Sequence, residues 1–401
     1  MPKPIANPSS PNSPPPLAHN RHASGTVGIV GAGLMGRLLA FRLSEQGWKV
    51  TLFDRDSTQG EKSCGHTGAG MLSPLAELES SEPIIAQLGF ESIALWEKLL
   101  GRLSQSVFFQ RAGTVIVAHH LDAPELGHFA RMLQSKLARP GLQKAIGNAA
   151  IRWQLSQSEL QTLEPQLSKQ FSTGIYLPQE GQIDNRQLMP ALAQALQAQG
   201  VTWQANQEVV AVLPHHVDSG EDVSQFDWVI DCRGLGARPN WEQVRGVRGE
   251  IIRVHAPEVS LHRPVRLMHP RHPLYVAPRE NQHYLIGATS LESEDFRPMT
   301  LQSAMELLSA AFTVHSGFAE ASILEMAVNC RPALPDNLPR ITVEAGLIQV
   351  NGLYRHGFLI SPKLAELVCG LMATGGLTDG DVQYQGLLEI EEEAPNYATA
   401  H

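Results

Sequence analysis

Two groups of residues in this 401-residue chain have the types and spacing to do chemistry. The first is Gly31-Ala32-Gly33-Leu34-Met35-Gly36, a GxGxxG that follows the β-branched run Thr26-Val27-Gly28-Ile29-Val30. After it comes a helical apolar stripe of Leu34, Leu38, Leu39, Phe41 and Leu43, stopping at Gly47. Glycines at such a turn let the backbone approach a pyrophosphate closely, and the helix start offers unpaired N–H groups and a partial positive charge. Lys49-Val50-Thr51-Leu52-Phe53 reads as a second parallel strand. It ends at Asp54, about 20 residues beyond the last glycine, where a carboxylate accepts hydrogen bonds from ribose hydroxyls and repels a 2′-phosphate. Strand, glycines, helix, strand and acid in that order point to an adenine dinucleotide, without choosing between NAD and FAD.

The second group is Tyr275, Arg331 and Arg355. A guanidinium presents a planar fork that matches a carboxylate with two parallel hydrogen bonds. Spacing alone favours reading Arg331 as a salt bridge to Asp336 and Arg355 as an exposed surface charge. Tyr275 lies between Leu274 and Val276 on an expected strand, so it faces away from both, a placement that also suits core packing. Met71 is by composition a core methionine. His262, His269 and His272 share no helical face and complete no coordination set, so no metal is expected.

These residues need elements to position them. The chain is long enough for two modest domains or one large one, and 43% of its residues are hydrophobic. A net charge of -9 without a long acidic run argues for solubility and against a nucleic-acid partner. Cys64, Cys232, Cys330 and Cys369 are widely spaced, as reduced cytoplasmic thiols would be. Residues 1–24, rich in Pro, Ser and Asn, read as a disordered leader, and residues 386–401 as a tail. No apolar run approaches the roughly 18 residues of a membrane helix, so no span is expected.

Gln207 to Val212 and Trp228-Val229-Ile230 are buried-strand candidates, and the second runs into a Gly-rich turn. Glu250 to His255, Leu274 to Glu280 and His283 to Thr289 read as antiparallel strands, the last two joined by an Asn281-Gln282 turn. Ser361 and Pro362 are a natural N-cap and first residue for a helix with the apolar face Leu364, Leu367, Val368 and Leu371. Leu301, Met305, Leu308 and Phe312 form an amphipathic stretch, more often core than interface. The small residues from Ser63 to Leu72 permit close approach to a flat, bulky ligand, or form an ordinary surface loop.

Along nearly the whole of residues 25–385 the chain resembles the D-amino acid oxidase superfamily, and within it the bacterial glycine oxidases linked to thiamine synthesis. The pieces that carry the resemblance are Gly68-Ala69-Gly70-Met71-Leu72, Leu163-Glu164-Pro165, Glu180-Gly181-Gln182-Ile183-Asp184, Asp227 to Gly236, Tyr275 to Arg279, Ile286 to Thr289, Arg331 to Asp336 and Gly352 to Leu359. The resemblance implies an α/β fold: a glutathione-reductase-type, Rossmann-like FAD domain with an inserted α+β substrate domain containing an antiparallel sheet. The FAD domain would comprise residues 25–80, 155–245 and 326–385, and the substrate domain 81–154 and 246–325.

By the same resemblance the non-covalently bound FAD would meet Gly31, Gly33, Gly36, Asp54, Arg55, Thr67, Ala69, Gly70, Met71, Val209, Gly234, Arg355, His356, Gly357, Phe358 and Leu359. Arg331 and Tyr275 would hold the carboxylate of a small amino acid, with Arg355 and Met71 lining its site. No side chain is expected as a catalytic acid or base: hydride passes from the α-carbon to flavin N5 by positioning, giving imine, then glyoxylate and ammonia, with oxygen reduced to hydrogen peroxide. The helix after Ser361 would point its positive end at the flavin pyrimidine. Two positions depart from the family: Leu353 stands where many relatives have histidine, and Cys330 where they often have leucine. Since sarcosine oxidases attach flavin through a cysteine in roughly this region, a covalent link through Cys330 is the alternative. D-amino acid or sarcosine-type oxidases and dehydrogenases are the near rivals, an NAD-dependent dehydrogenase or a non-catalytic flavin module the far ones. A homo-oligomer is expected by analogy.

Overall fold

The computed structural model describes residues 25–147, 150–268 and 274–390. The expected leader, residues 391–401 of the expected tail, and His269 and His272 lie outside the described residues.

The first two expected strands form side by side within a seven-stranded sheet. Thr26–Val30 pairs in parallel with Lys49–Asp54 on one side and Trp228–Asp231 on the other, and Thr202–Ala205 extends the sheet beyond Lys49–Asp54. Leu347–Asn351, Arg340–Glu344 and Leu388–Ile390 complete the opposite edge. Helix Leu34–Glu45 follows the glycine turn, and Gly47 takes φ +91°, the left-handed conformation that ends a helix. Its stripe is buried, as expected, against helices Asn185–Ala198 and Gly357–Thr374, the latter packed in turn on helix Pro83–Leu100.

An eight-stranded sheet stands beside this layer, in the order Ser322–Ala333, Arg245–His255, His283–Gly287, Leu274–Pro278, Val265–Met268, Thr114–Ala118, Thr173–Leu177 and Arg152–Ser156. The three strands expected here form and pair antiparallel, and Asn281 and Gln282 turn between two of them with positive φ. Period-2 alternation divides its faces. Ile252, Val254, Val276 and Ile286 pack towards helix Leu301–Val314, while Ile251, Ala277 and Leu285 face the other way with Tyr275 and Met71.

Several expectations change. Sheet membership departs from the expected bounds: Thr173–Leu177 and residues 326–333 of strand Ser322–Ala333, expected in the FAD domain, belong to the eight-stranded sheet, and Leu388–Ile390 belongs to the seven-stranded sheet rather than a tail. Gln207 to Val210 is not strand; only Ala211–Leu213 is, in a separate three-stranded sheet, and Val210 is exposed.

Ser361 and Pro362 do not start a helix: it begins one turn earlier, at Gly357. Pro362 lacks an N–H for the carbonyl of Phe358, and the indole of Trp96 donates to that oxygen at 2.8 Å instead. The next amide, Lys363, donates to Ser92 Oγ at 3.1 Å. These donors and acceptors from the neighbouring helix make an internal proline tolerable. The same helix, 18 residues with mean hydropathy 1.3, corrects the expectation that no segment has the length and composition for a membrane span. It is a core element, 72% of it buried between two other helices.

Candidate active site

A cleft of about 360 Å³ runs from the glycine turn to the inner face of the eight-stranded sheet. At the first end, Gly31 (φ +102°) donates its N–H to the Phe53 carbonyl at 2.8 Å, which brings the turn onto the second strand. Asp54 accepts from Ala32 N–H through one oxygen and from Asp56 N–H at 2.7 Å through the other, so the expected ribose acid also pins the glycine turn. A Cβ on Gly36 would overlap the Gly31 carbonyl, so this glycine serves packing and does not line the cleft. A Cβ on Gly33 would meet nothing within 4 Å and would project into the cleft. That is the shape a pyrophosphate cradle needs, and the residues present fit an adenine dinucleotide.

Arg55, Val209 and Gly234 flank this end; Arg55 is exposed and lies 3.9 Å from Glu208. Thr67, Ala69, Gly70 and Met71 form the middle wall. Gly70 has φ +64°, and any Cβ on it would overlap the Ile183 carbonyl. Asn185 and Arg186, which carry no sequence signal of their own, and Arg279 hold this small-residue wall in place. Asn185 donates to the carbonyls of Gly65 and His66 at 2.9 and 2.6 Å, Arg186 to His66 at 2.8 Å, and Arg279 to the Ala69 carbonyl at 2.5 Å. Arg37, fully buried, reaches the carbonyls of Ala32, Met189 and Thr58 at 2.7–2.9 Å, and burial lowers its pKa to about 10.

At the far end the structure brings Tyr275, Arg331, Arg355 and Met71 together, with Leu353, Gly357 and Phe358 beside them. His356 and Leu359 do not line the cleft. Leu359 packs into the core, against the place where Gly89 has no side chain, and His356 turns to Glu77. Tyr354 adopts φ +48°, a strained conformation for a non-glycine residue, and its N–H is fixed at 2.8 Å from the Pro332 carbonyl. That contact ties the segment carrying Arg355 to the strand carrying Arg331.

The two arginines differ in their partners. Asp336, offered by spacing as the partner of Arg331, pairs with Arg340 at 2.8 Å. Arg331 makes no ion pair among the described residues; its Nη2 donates to the Thr289 carbonyl at 3.1 Å and its Nη1 to the Arg248 carbonyl at 3.5 Å, and the guanidinium lines the cleft. Burial, and then the charge of Arg355, lower its pKa. Arg355 instead grips Glu77, its Nη2 donating to Oε1 at 3.1 Å with Nε 2.9 Å from Oε2. Burial alone would raise the Glu77 pKa, yet Arg355 and His356 hold it well below the carboxylate range. Burial raises the Tyr275 phenol above its ordinary value despite the two arginines, keeping it a neutral hydrogen-bond donor.

Cys330, on the strand beside Arg331, is buried with its sulfur 3.8 and 3.9 Å from the carbonyls of Asp295 and Ser293. Burial raises its pKa, the opposite of what a thiolate linkage to flavin needs. His262 lies 3.3 Å from Glu164.

The family described as FAD dependent oxidoreductase (DAO) matches residues 26–371. A Rhizobium etli protein assigned to thiamine biosynthesis as the oxidoreductase ThiO is 38% identical over 347 residues, covering 86% of this chain and 96% of its own length. Glycine oxidase of Pseudomonas aeruginosa is 26% identical over 374 residues, 86% of this chain and 94% of its own. The crystal structure of glycine oxidase from Geobacillus kaustophilus superposes with a TM-score of 0.74 at 25% identity, covering 88% of this chain and 96% of that one.

Proposed function

The chain belongs to the DAO family of FAD-dependent oxidoreductases, and from that premise we propose that it oxidises glycine, or an equally small amino acid, for the thiamine route. The observation that carries this reading is Arg331: a guanidinium in the cleft wall, without a carboxylate of its own, beside the neutral phenol of Tyr275. A substrate carboxylate supplies the missing anion, accepting from the Arg331 fork and the Tyr275 hydroxyl. Its α-carbon is then fixed by two anchors, and positioning replaces a general base.

The glycine turn, Asp54, the Thr67–Met71 wall and the start of helix Gly357–Thr374 would hold FAD, which would supply a hydride acceptor and a route for the electrons to oxygen. Met71 and Leu353 present apolar surface that limits water at the reacting carbon. The amino acid loses two electrons and two protons to become an imine, which water converts to glyoxylate and ammonia. An NAD-dependent dehydrogenase is not what the family match supports. D-amino acid and sarcosine-type activities remain the comparison substrates.

The experiment is the visible spectrum of the purified protein, then hydrogen peroxide production with glycine, sarcosine, D-alanine and D-proline in parallel. Flavin absorbance with turnover of glycine is the expected outcome. A yellow protein giving peroxide with none of them defeats the substrate reading.

The same proposal places the protein in the cytoplasm, where four free thiols suit the reducing environment. It also includes a homo-oligomer. On helix Leu301–Val314 the amphipathic stretch is not the core face: Leu301, Met305 and Phe312 are 78%, 60% and 54% exposed, while Ala304, Leu307 and Ala311 pack inward. Apolar surface of this kind favours self-association. Met305→Lys is expected to lower the mass seen in sedimentation; an unchanged mass removes this face from the interface.

A further inference from the structure

Two arginines at one end of a cleft ordinarily invite two carboxylates, but only Arg331 is without an ion pair among the described residues, Arg355 being paired with Glu77. Glu77 comes from the short 3-10 helix Ala76–Glu79, a segment with no sequence signal for this role, and lines the cleft with Tyr275, Arg331 and Arg355. Its carboxylate spans Arg355 through both oxygens, at 3.1 and 2.9 Å, with His356 Nδ1 3.3 Å from Oε2. The pair does not rest on a floppy loop. Glu180 accepts the N–H groups of Leu75 and Ala76 at 3.1 and 2.7 Å and so fixes the turn that presents Glu77.

We propose that Glu77 determines the substrate class of this site: by occupying Arg355 it leaves Arg331 as the one arginine at this end of the cleft without an ion pair among the described residues, so the site takes monocarboxylic amino acids and turns away those with a second carboxylate. This rests on the oxidase reading above and narrows its substrate. A second carboxylate brought to this end meets the Glu77 anion, while the fork that would have received it is filled. Arg355 lies near enough to Arg331 for its charge to be the largest charged influence on it, so one ligand can feel both groups. Removing the charge of Glu77 opens Arg355 as a second anion site.

The test uses the FAD-loaded full chain and two pairs of probes. Glycine and iminodiacetate, which is glycine carrying a second carboxymethyl group on nitrogen, are compared as substrates by kcat/KM. Acetate and malonate are compared as ligands through the change they cause in flavin absorbance. The wild type is expected to prefer glycine and to bind malonate no more tightly than acetate. Glu77→Gln is expected to shift the kcat/KM ratio towards iminodiacetate by about tenfold or more, and to tighten malonate relative to acetate. Glu77→Asp, which keeps the charge, is expected to keep the wild-type order.

A purely structural role lowers kcat/KM for both substrates by the same factor, and an unchanged ratio in a flavin-loaded Glu77→Gln variant overturns the proposal. Should that variant lose its flavin, the wild-type titrations decide: malonate binding about tenfold more tightly than acetate shows Arg355 already open and overturns it. Peroxide from none of the amines in the wild type defeats the oxidase reading instead, and the acetate and malonate titrations still judge Glu77.

Discussion

At the scale of single residues, the cleft is governed by which charges are matched within the protein and which await a ligand. Arg331 lies across Gly249 of the neighbouring strand, and a Cβ there would overlap its guanidinium. The obstructing atoms are the far end of a flexible side chain, so Gly249→Ala is expected to fold and hold flavin while pushing the fork out of line. The KM for glycine should rise by about tenfold or more with melting temperature little changed, since misplacement of an anchor acts on binding. An unchanged KM would mean that Arg331 does not hold the substrate. Arg331 and Tyr275 were legible because their motif resembles a known family. Glu77 was not: in Leu75-Ala76-Glu77-Leu78-Glu79 it is one acid among several, and its partner lies 278 positions away. Only the fold puts them together.

At the scale of elements, the glycine helix and the antiparallel strands were located because each apolar run ends at a clear turn signal, Gly47 for the helix and Asn281-Gln282 between two of the strands. Such signals failed where an exception depends on a neighbour. Proline is normally a first-turn residue, so Ser361-Pro362 reads as a helix start; the real start at Gly357 depends on Trp96 and Ser92, which serve the backbone groups that Pro362 disturbs. The consequence reaches the cleft, since Gly357 and Phe358 line it. Trp96→Phe keeps most of the buried apolar surface but leaves the Phe358 carbonyl without its donor. The expected cost is about 1–3 kcal/mol of stability, read as a lower melting temperature, together with faster loss of FAD on dilution. If stability falls but flavin retention does not, the helix start is insulated from the cofactor end. Helix Leu301–Val314 illustrates the opposite limit. Its Ala304, Leu307 and Ala311 face inward and the larger Leu301, Met305 and Phe312 outward, so residue size misled the choice of buried face.

At the scale of the whole molecule, the cleft is made where two sheets meet, from segments as distant as Gly31 and Arg355, and its inner supports are polar groups buried between the layers. Glu180, fully buried, is the one of these whose charge is most sensitive to pH in the neutral range. One oxygen holds the Leu75–Ala76 backbone, and its surroundings include Ser73, Thr114 and the charge of Arg266. Burial outweighs these contacts and pushes its pKa up to about 7. In the unfolded chain a glutamate titrates near about 4.3, so between the two values the folded protein keeps a proton that the unfolded chain has released. The stability this group provides is therefore complete below the lower value, is lost as pH rises through the higher one, and is flat above it. Glu180→Gln cannot ionise and can still accept the two backbone N–H groups through its amide oxygen. The variant's stability relative to wild type should thus improve steadily between about pH 4 and pH 8, by up to about 4 kcal/mol. Parallel melting curves of both proteins across that range would show the gap opening; a gap that is the same at both ends means the Glu180 carboxyl does not change its charge within the folded protein.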